Sequence, residues 1–552
     1  MLRALAMTCV LVAVLAPARA AASPTQESMF QDDNQLVYAS AGHVAGVLNQ
    51  LAALGVERIR VSVIWALVAP DPGSTTPPSF DATNPADYPA GAWNRYDVLV
   101  TDAQALGMSV DFDITAPVPE WATEPSPITI DPKFRKNYLP SPVAFGQFVE
   151  AVGTRYSGSY VTSTPAPTPP PTLLGGLLPP SLGGTPTTPA PAAPAPLPRV
   201  NYWEIWNEPN EAGWLTPQWR RVGKGWVEAS PVTYRRLLDA AWSGLATSGH
   251  RNDTILVGDT SAKGASRRGI LSAMPPMTFM RALYCVGNSD RPLTGKRAAE
   301  LACPTNGSTS AFTAEHAAAI DASGYSDHPY SFTQPPNELS ANPAWATLAD
   351  LPRVERTLNR IFATYGRTIP GGVPLYLTEY GYKSNPPNPY VKTTQAQQAA
   401  YINEGEYMAW RDPYVPTLSQ FELVDAAPQA GEPIGSPAYW GTFQTGLMTL
   451  SGAPKPAYYA YRIPIWVPHP RTGTQVTVWG QVRPADQAGP QLADIEYAPR
   501  GASAFTTLEQ VGSGAQGFIL ARVGIARPGS LRLAWADPST GLVYHSRIVV
   551  IR

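Results

Sequence analysis

Cysteine is scarce: there are three in 552 residues, at positions 9, 285 and 303. Two cysteines without nearby histidine partners do not make a zinc site. Charge is also sparse, at 15%, with a formal net charge of −2. A phosphate-binding surface needs a marked excess of Lys and Arg, so nucleic acid is excluded as the main partner. Beyond the N-terminus no run of some 18 apolar residues occurs, so no membrane span is expected. Aromatics are plentiful instead, with 15 Trp and 25 Tyr, and that much apolar surface implies a folded chain. The 60 prolines are about twice the usual share and point to a segment that does not fold. The length calls for a large domain plus extras.

The first residues read as an export signal. Arg3 supplies a positive start, Ala4 to Ala16 is a short apolar run, and Ala18-Arg19-Ala20 resembles a cleavage site. Residues 1–22 are therefore assigned as a signal peptide and the mature protein as secreted. No cysteine follows the cleavage site to carry a lipid anchor. Cys9 leaves with the signal, and Cys285 and Cys303 remain as a pair in an oxidising compartment. A disulfide between them would stabilise the fold by about 3 kcal/mol. Two free thiols are the alternative.

Residues 159–198 are Pro, Thr, Ala and Gly with almost no charge. Such a stretch cannot bury a core and should be disordered. It reads as an insertion in a surface loop, because the pattern on either side is one repeating pattern and loop closure costs grow slowly with length. Strand candidates are Leu36–Ser40, Arg58–Trp65, Ser109–Thr115, Arg199–Trp206, Thr254–Thr260, a sixth from Tyr325, Pro374–Tyr380 and Thr417–Leu423. Amphipathic helices lie between them; His43–Leu54 and Trp93–Leu106 each stop at a glycine, Gly55 and Gly107. Eight strand–helix units predict an α/β fold, a closed (β/α)8 barrel over residues 23–462. An open doubly wound sheet would show a glycine-rich phosphate turn, and "ASAGHVAG" is a poor one. Residues 463–552 change to short alternating strands split by Gly and Pro, which predicts a C-terminal all-β sandwich.

In such a barrel the reacting groups sit at the C-terminal strand ends. The fourth strand ends in Asn207-Glu208-Pro209 and the seventh in Thr378-Glu379-Tyr380. Two carboxylates on separate strand ends are what glycoside hydrolysis requires, one to protonate the leaving oxygen and one as nucleophile or base. Two-residue alternation puts Glu204, Trp206 and Glu208 on one face, and Leu375, Leu377 and Glu379 on another, so that Trp203 and Tyr376 should face the helices.

"YWEIWNEPN" and "YLTEYGY" resemble the acid/base and nucleophile strands of clan A retaining glycoside hydrolases, with families 5 and 39 as the nearest likenesses, over about residues 35–462. The resemblance implies that Glu208 is the acid/base, Glu379 the nucleophile and Asn207 a ligand of the sugar 2-hydroxyl. It implies that Arg60 keeps the nucleophile ionised, and that His328 and Tyr330 form the His-x-Tyr of the sixth strand end, with Tyr330 orienting Glu379. The ending "FQTGLMTLSGAPKPAYYAYR" is similar to the close of these barrels. Two features depart from the pattern. The third strand carries Asp111 and Asp113 but no histidine, and the eighth ends in Gln420, Phe421 and Glu422, with Trp440 further on as the stacking candidate. No particular sugar is carried over.

Blander readings stand beside these. Arg60 could pair with Glu204 or Asp111 in the core, His328 could be a packed histidine, and Glu208 and Glu379 could be structural carboxylates. Trp65, Trp121, Trp214 and Trp440 could stack on sugar or simply pack. Asp111 and Asp113 lack the further ligands a metal needs. The expectation is a secreted retaining β-glycoside hydrolase with no cofactor or metal, acting as a monomer on a poly- or oligosaccharide. The alternatives are a non-catalytic carbohydrate-binding barrel and a transglycosylase using the same residues. The sandwich, through Trp479 or Tyr497, could bind glycan or brace the barrel. The insertion precedes the fourth strand and should lie at the face opposite the site.

Overall fold

A computed structural model describes residues 23, 25–162, 195–473, 475–485 and 489–552. The assigned signal peptide, 1–22, and residues 163–194 of the proline-rich insertion lie outside the described residues. Eight parallel strands close into a barrel: β1 (Glu27–Gln31), β2 (Arg58–Ile64), β3 (Ser109–Thr115), β4 (Tyr202–Ile205), β5 (Thr254–Ser261), β6 (Gly324–His328), β7 (Leu375–Tyr380) and β8 (Thr417–Phe421). Each pairs with its neighbours in the chain, and β1 pairs with β8 to close the ring. β2 is buried along its whole length, since a barrel strand has side chains within and helices without. The helices show the matching stripe: in Leu351–Thr364 the buried residues include Leu351, Val354, Leu358 and Ile361.

The expected first strand, Leu36–Ser40, is a correction. Asp33–Leu36 is a helical turn, and the strand lies earlier, at Glu27–Gln31. Asp32 ends it. Its buried carboxylate accepts the backbone N–H groups of Gln35, Leu423 and Val424, capping the turn and tying β1 to the segment after β8.

Antiparallel strands β9 (Ile465–Trp466), β10 (Gln475–Gln481), β11 (Leu492–Pro499), β12 (Thr506–Gly512), β13 (Phe518–Gly524), β14 (Gly529–Ala536), β15 (Val543–His545) and β16 (Val549–Ile551) follow. They form a three-stranded sheet, β9-β10-β13, and a five-stranded sheet built on β11 and β14. Val476, Val478, Ile495, Ile519, Leu531, Leu533 and Trp535 fill the space between the two sheets. Trp479 instead points out of this core to pack on the barrel, in a cluster with Tyr407, Trp410 and Phe518. Arg483 pairs with buried Glu406 at 2.7 Å, and Gln516 donates to Glu57. Tyr497 is half-buried, and its hydroxyl donates to the Arg527 and Pro528 carbonyls. Gly55 adopts φ +73°, and a Cβ there would stand 2.8 Å from Arg483 Cβ and Pro484 Cα. These contacts gather at the N-terminal side of β2 and at the later turns of the helix Gln395–Arg411, away from the C-terminal strand ends.

The ends of the insertion meet in an antiparallel bridge, Val161 with Pro196, just before β4. The insertion therefore leaves the barrel at its N-terminal face. A disulfide joins Cys285 and Cys303. Buried Arg235 donates to the carbonyls of Ala282, Leu283, Leu301 and Ala302, holding both ends of that loop. Among the described residues no helix is long and apolar enough to cross a membrane.

Candidate active site

Arg60, on β2, is fully buried and spends all five of its N–H donors. Nε donates to Glu204 at 2.8 Å. Nη1 donates to Gln31 at 2.6 Å and Glu379 at 2.9 Å, and Nη2 to Asn207 at 3.0 Å and Asp259 at 2.7 Å. Asp113 lies 3.5 Å away. One guanidinium thus gathers residues from β1, β2, β3, β4, β5 and β7. Arg60 thus pairs with Glu204 in the core and with Glu379 at the mouth.

Below it the barrel holds more carboxyls than cations. Asp113 accepts no hydrogen bond, and Asp111 faces the carboxyl of Glu204. Burial pushes Asp111 up to about 6, and carries Asp113 and Glu204 well above the ordinary carboxyl range despite the pull of Arg60. Asp113 and Glu204 are thereby held toward the protonated form, while Asp111 gives up its proton near pH 6. Asp259 is ionised: burial would raise its pKa, but Arg60 and His328 outweigh that and lower it.

His328, at the end of β6, is buried between acids. Nδ1 stands 3.0 Å from Glu208 Oε1 and 3.6 Å from Glu379 Oε2, and Nε2 stands 2.8 Å from Asp259. Burial alone would lower its pKa; attraction to Glu379 and Asp259 and the contact with Glu208 carry it well above the usual value, so the ring is an imidazolium. Tyr330 donates its hydroxyl to Glu379 Oε2 at 3.0 Å. Glu379 is 6% exposed. Burial raises its pKa, His328 and Arg60 oppose the rise, and Glu208 and Asp259 add to it, leaving it above the ordinary glutamate value.

Glu208 faces the same space, with its side chain 18% exposed. Oxygens of Glu208 and Glu379 and a ring nitrogen of His328 lie within 4.8 Å of one another. A metal bound by these three would have to displace the proton that His328 presents to Glu208.

Local irregularities aim the two acids. β4 ends at Ile205, and Trp206 turns to φ +73° and Glu208 to φ +37°. Trp206 packs outward on Phe145 of the helix Pro142–Arg155, with ring centres 5.1 Å apart. It does not share the inner face of Glu204, as alternation implied. The turn is stapled by Asn207 N–H to Thr115 Oγ1, and by Asn210 Nδ2 to Ser261 and Met274. On β7 the pairing with β8 slips between Leu377 and Tyr380, a bulge of one residue. Tyr376 packs across the barrel on Tyr202, ring centres 5.9 Å apart, and Thr378 donates to Asp259. Both point inward, so the expectation that Tyr376 faces the helices is corrected, and the bulge turns Glu379 to the same side. Trp203 does lie outside, against His250.

Among the stacking candidates, Trp65 is buried on Phe148 and Trp121 meets its edge. Trp214 is half-buried and its carbonyl accepts from Trp206. Trp440 packs its ring on Tyr439, while its backbone bonds Ser436 and Asn388. Two rings absent from the sequence reading also reach the site. Phe443 lies 6.0 Å and Phe332 6.1 Å from Tyr330, and both are partly exposed. Asp259 was also missed, although it stands near a C-terminal strand end as Glu208 and Glu379 do.

No family model and no curated protein matches the chain. Among solved structures it is similar to an exo-β-1,4-mannosidase from an Opitutaceae bacterium, at 12% identity and a TM-score of 0.38, over 79% of this chain and 58% of that one. It thus spans less than two thirds of that mannosidase. It is also similar to a β-glucosidase from Thermotoga maritima, at 12% identity and a TM-score of 0.40, over 74% of this chain and 81% of that one. A GH5_18 protein from Bifidobacterium longum is 11% identical with a TM-score of 0.40, over 79% and 78% of the two chains.

Proposed function

We propose that the protein is a secreted β-glycoside hydrolase of the retaining, clan A type, working as a monomer on a poly- or oligosaccharide. One observation carries this reading. Glu208 and Glu379 come from two separate strand ends and bring carboxylate oxygens within 4.8 Å of each other, beside a buried guanidinium and an imidazolium. A short separation suits double displacement, since carboxyls about 5–5.5 Å apart leave no room for a water between acid and sugar.

In the first step Glu379 attacks the anomeric carbon, the bond to the leaving oxygen breaks, and Glu208 gives that oxygen its proton. Arg60 and Tyr330 hold the two oxygens of Glu379 and fix the attacking geometry. In the second step Glu208 takes a proton from water, whose oxygen bonds the anomeric carbon as Glu379 departs. A sugar hydroxyl in place of water would make the same site a transglycosylase. Asn207 has its carbonyl on Arg60, which directs its amide NH2 as the end to meet a sugar hydroxyl.

The test is azide rescue. Glu379→Gly should be inactive on an aryl β-glycoside that the native enzyme cleaves, and azide should restore turnover and yield the α-glycosyl azide. Release of β-azide, or full activity without azide, would contradict the assignment of Glu379.

A further inference from the structure

The aromatic edge of the site carries two lysines that are in ion-pair contact with no carboxylate among the described residues. Lys263, just past β5, places Nζ 4.0 Å from the centre of the Phe332 ring and 4.8 Å from that of Trp345. Lys383, just past β7, places Nζ 4.8 Å from the centre of the Phe443 ring. Phe332 and Phe443 both pack on Tyr330, whose hydroxyl binds Glu379. The two lysines therefore flank the nucleophile, each one ring away from Tyr330. Both are half-buried, and among the described residues neither has a carboxylate within 4 Å. One acid acts on Lys383, Glu422, which is itself buried and not in ion-pair contact with it; burial raises its pKa well above the ordinary value. Burial lowers the pKa of Lys263, with no acid opposing it.

The charge continues outward. Residues 262–275 hold Lys263, Arg267 and Arg268 and no acid. Arg268 covers Trp219, which opens the hairpin Trp219–Val222 with Gly225–Glu228. That hairpin presents Arg220 and Arg221 to solvent, and it is bonded to the same loop through Trp219 Nε1 to Ser272. In a chain of net charge −2, the loop beyond β5 and this hairpin bring Arg220, Arg221, Arg267 and Arg268 to one side of the site with Lys263; the acids of the segment beyond β4 are engaged elsewhere, Glu211 accepting from Ser261 and Glu228 pairing with Arg297.

A half-buried ammonium without a counter-ion is costly unless a ligand supplies one. An aromatic ring beside it suits the C–H face of a sugar. We infer that the substrate is an anionic glycan, with carboxylate or sulfate groups that pair with Lys263 and Lys383 beside the scissile bond and with these arginines further along. This rests on the glycosidase reading above.

The test is equilibrium binding by the intact chain to matched pairs: oligomannuronate against its carboxyl-reduced form, and sulfated against unsulfated cello-oligosaccharide. Sugar release is followed in the same samples. At least one acidic member should bind tenfold or more tightly than its neutral partner. Lys263→Met and Lys383→Met should each remove about tenfold of that preference, and Lys263→Arg and Lys383→Arg should keep most of it. A carboxylate preference and a sulfate preference each identify the group. Equal binding within both pairs, absent binding, or a preference untouched by both methionine variants overturns the inference. Cleavage of neutral sugar with no acidic preference would leave the glycosidase reading standing. An acidic preference that depends on the lysines, with no cleavage of any glycan, would sink that reading while acid recognition stood.

Discussion

Arg60 sets the electrostatics of the site because it has no donor to spare. A lysine could not replace its planar fork, which meets acceptors from four other strands or strand ends. His328 supplies the second positive charge, and it is the strongest influence opposing the effect of burial on Glu379. In the proposed mechanism Glu379 must be a carboxylate to attack, so the acid limb of kcat/KM reports its pKa. In His328→Gln that support is gone, the pKa of Glu379 rises, and the acid limb should move to higher pH. A pH–rate profile of the two proteins checks this; a limb that stays or moves down contradicts it. At Glu208, replacement by Gln should cost about 10²–10⁴-fold on substrates with poor leaving groups and much less on activated aryl glycosides. An equal loss on both would show that Glu208 does not protonate the leaving oxygen.

Among the elements, barrel strands do most of the positioning, and their irregularities do the rest. The strand–helix alternation was legible because buried strands and striped helices differ in period. β1 was not, because Glu27–Gln31 is short and its end is set by Asp32 reaching across to the segment after β8. The strand-end rule pointed to Glu208 and Glu379, and the family resemblance to His328. The parity rule then failed twice: at Trp206, where the strand has ended and the backbone turns to φ +73°, and at Tyr376, since a bulge shifts the phase by one residue and leaves no mark in composition. Phe332, Phe443 and Lys263 lie in loops, where no period applies. At the barrel–sandwich contact, Gly55 meets both limits at once: a positive φ and the backbone of Pro484. Gly55→Ala should cost about 1–3 kcal/mol and lower the Tm while leaving kcat unchanged. An unchanged Tm would show that the contact yields freely.

For the whole molecule, the barrel separates the chemistry from its supports. The sandwich packs Trp479 on Trp410, and the insertion leaves from the N-terminal face. Deletion of residues 163–194 should keep kcat within about twofold, because loop closure changes little with length; a large loss of rate contradicts the placement. The buried acids also set a pH dependence. Burial pushes Asp327 up to about 8 and Glu404 up to about 7, and it raises Asp113, Glu204 and Glu422 as well. An acid with a raised folded pKa binds its proton more tightly when folded, so its contribution is full below the unfolded value and is lost as pH rises through the folded one. Tm should therefore fall between about pH 5 and pH 8. Asp253 and Asp259, whose pKa values are lowered, act in the opposite sense only below about pH 4. A Tm that climbs from pH 5 to pH 8 would contradict this balance.

The most direct measurement is sugar release from a panel of β-linked neutral and acidic glycans by the purified protein, run beside Glu379→Ala. The native protein should release reducing sugar from at least one glycan, and the variant from none. Equal release by both, or none from the native protein across the whole panel, would contradict the proposed function.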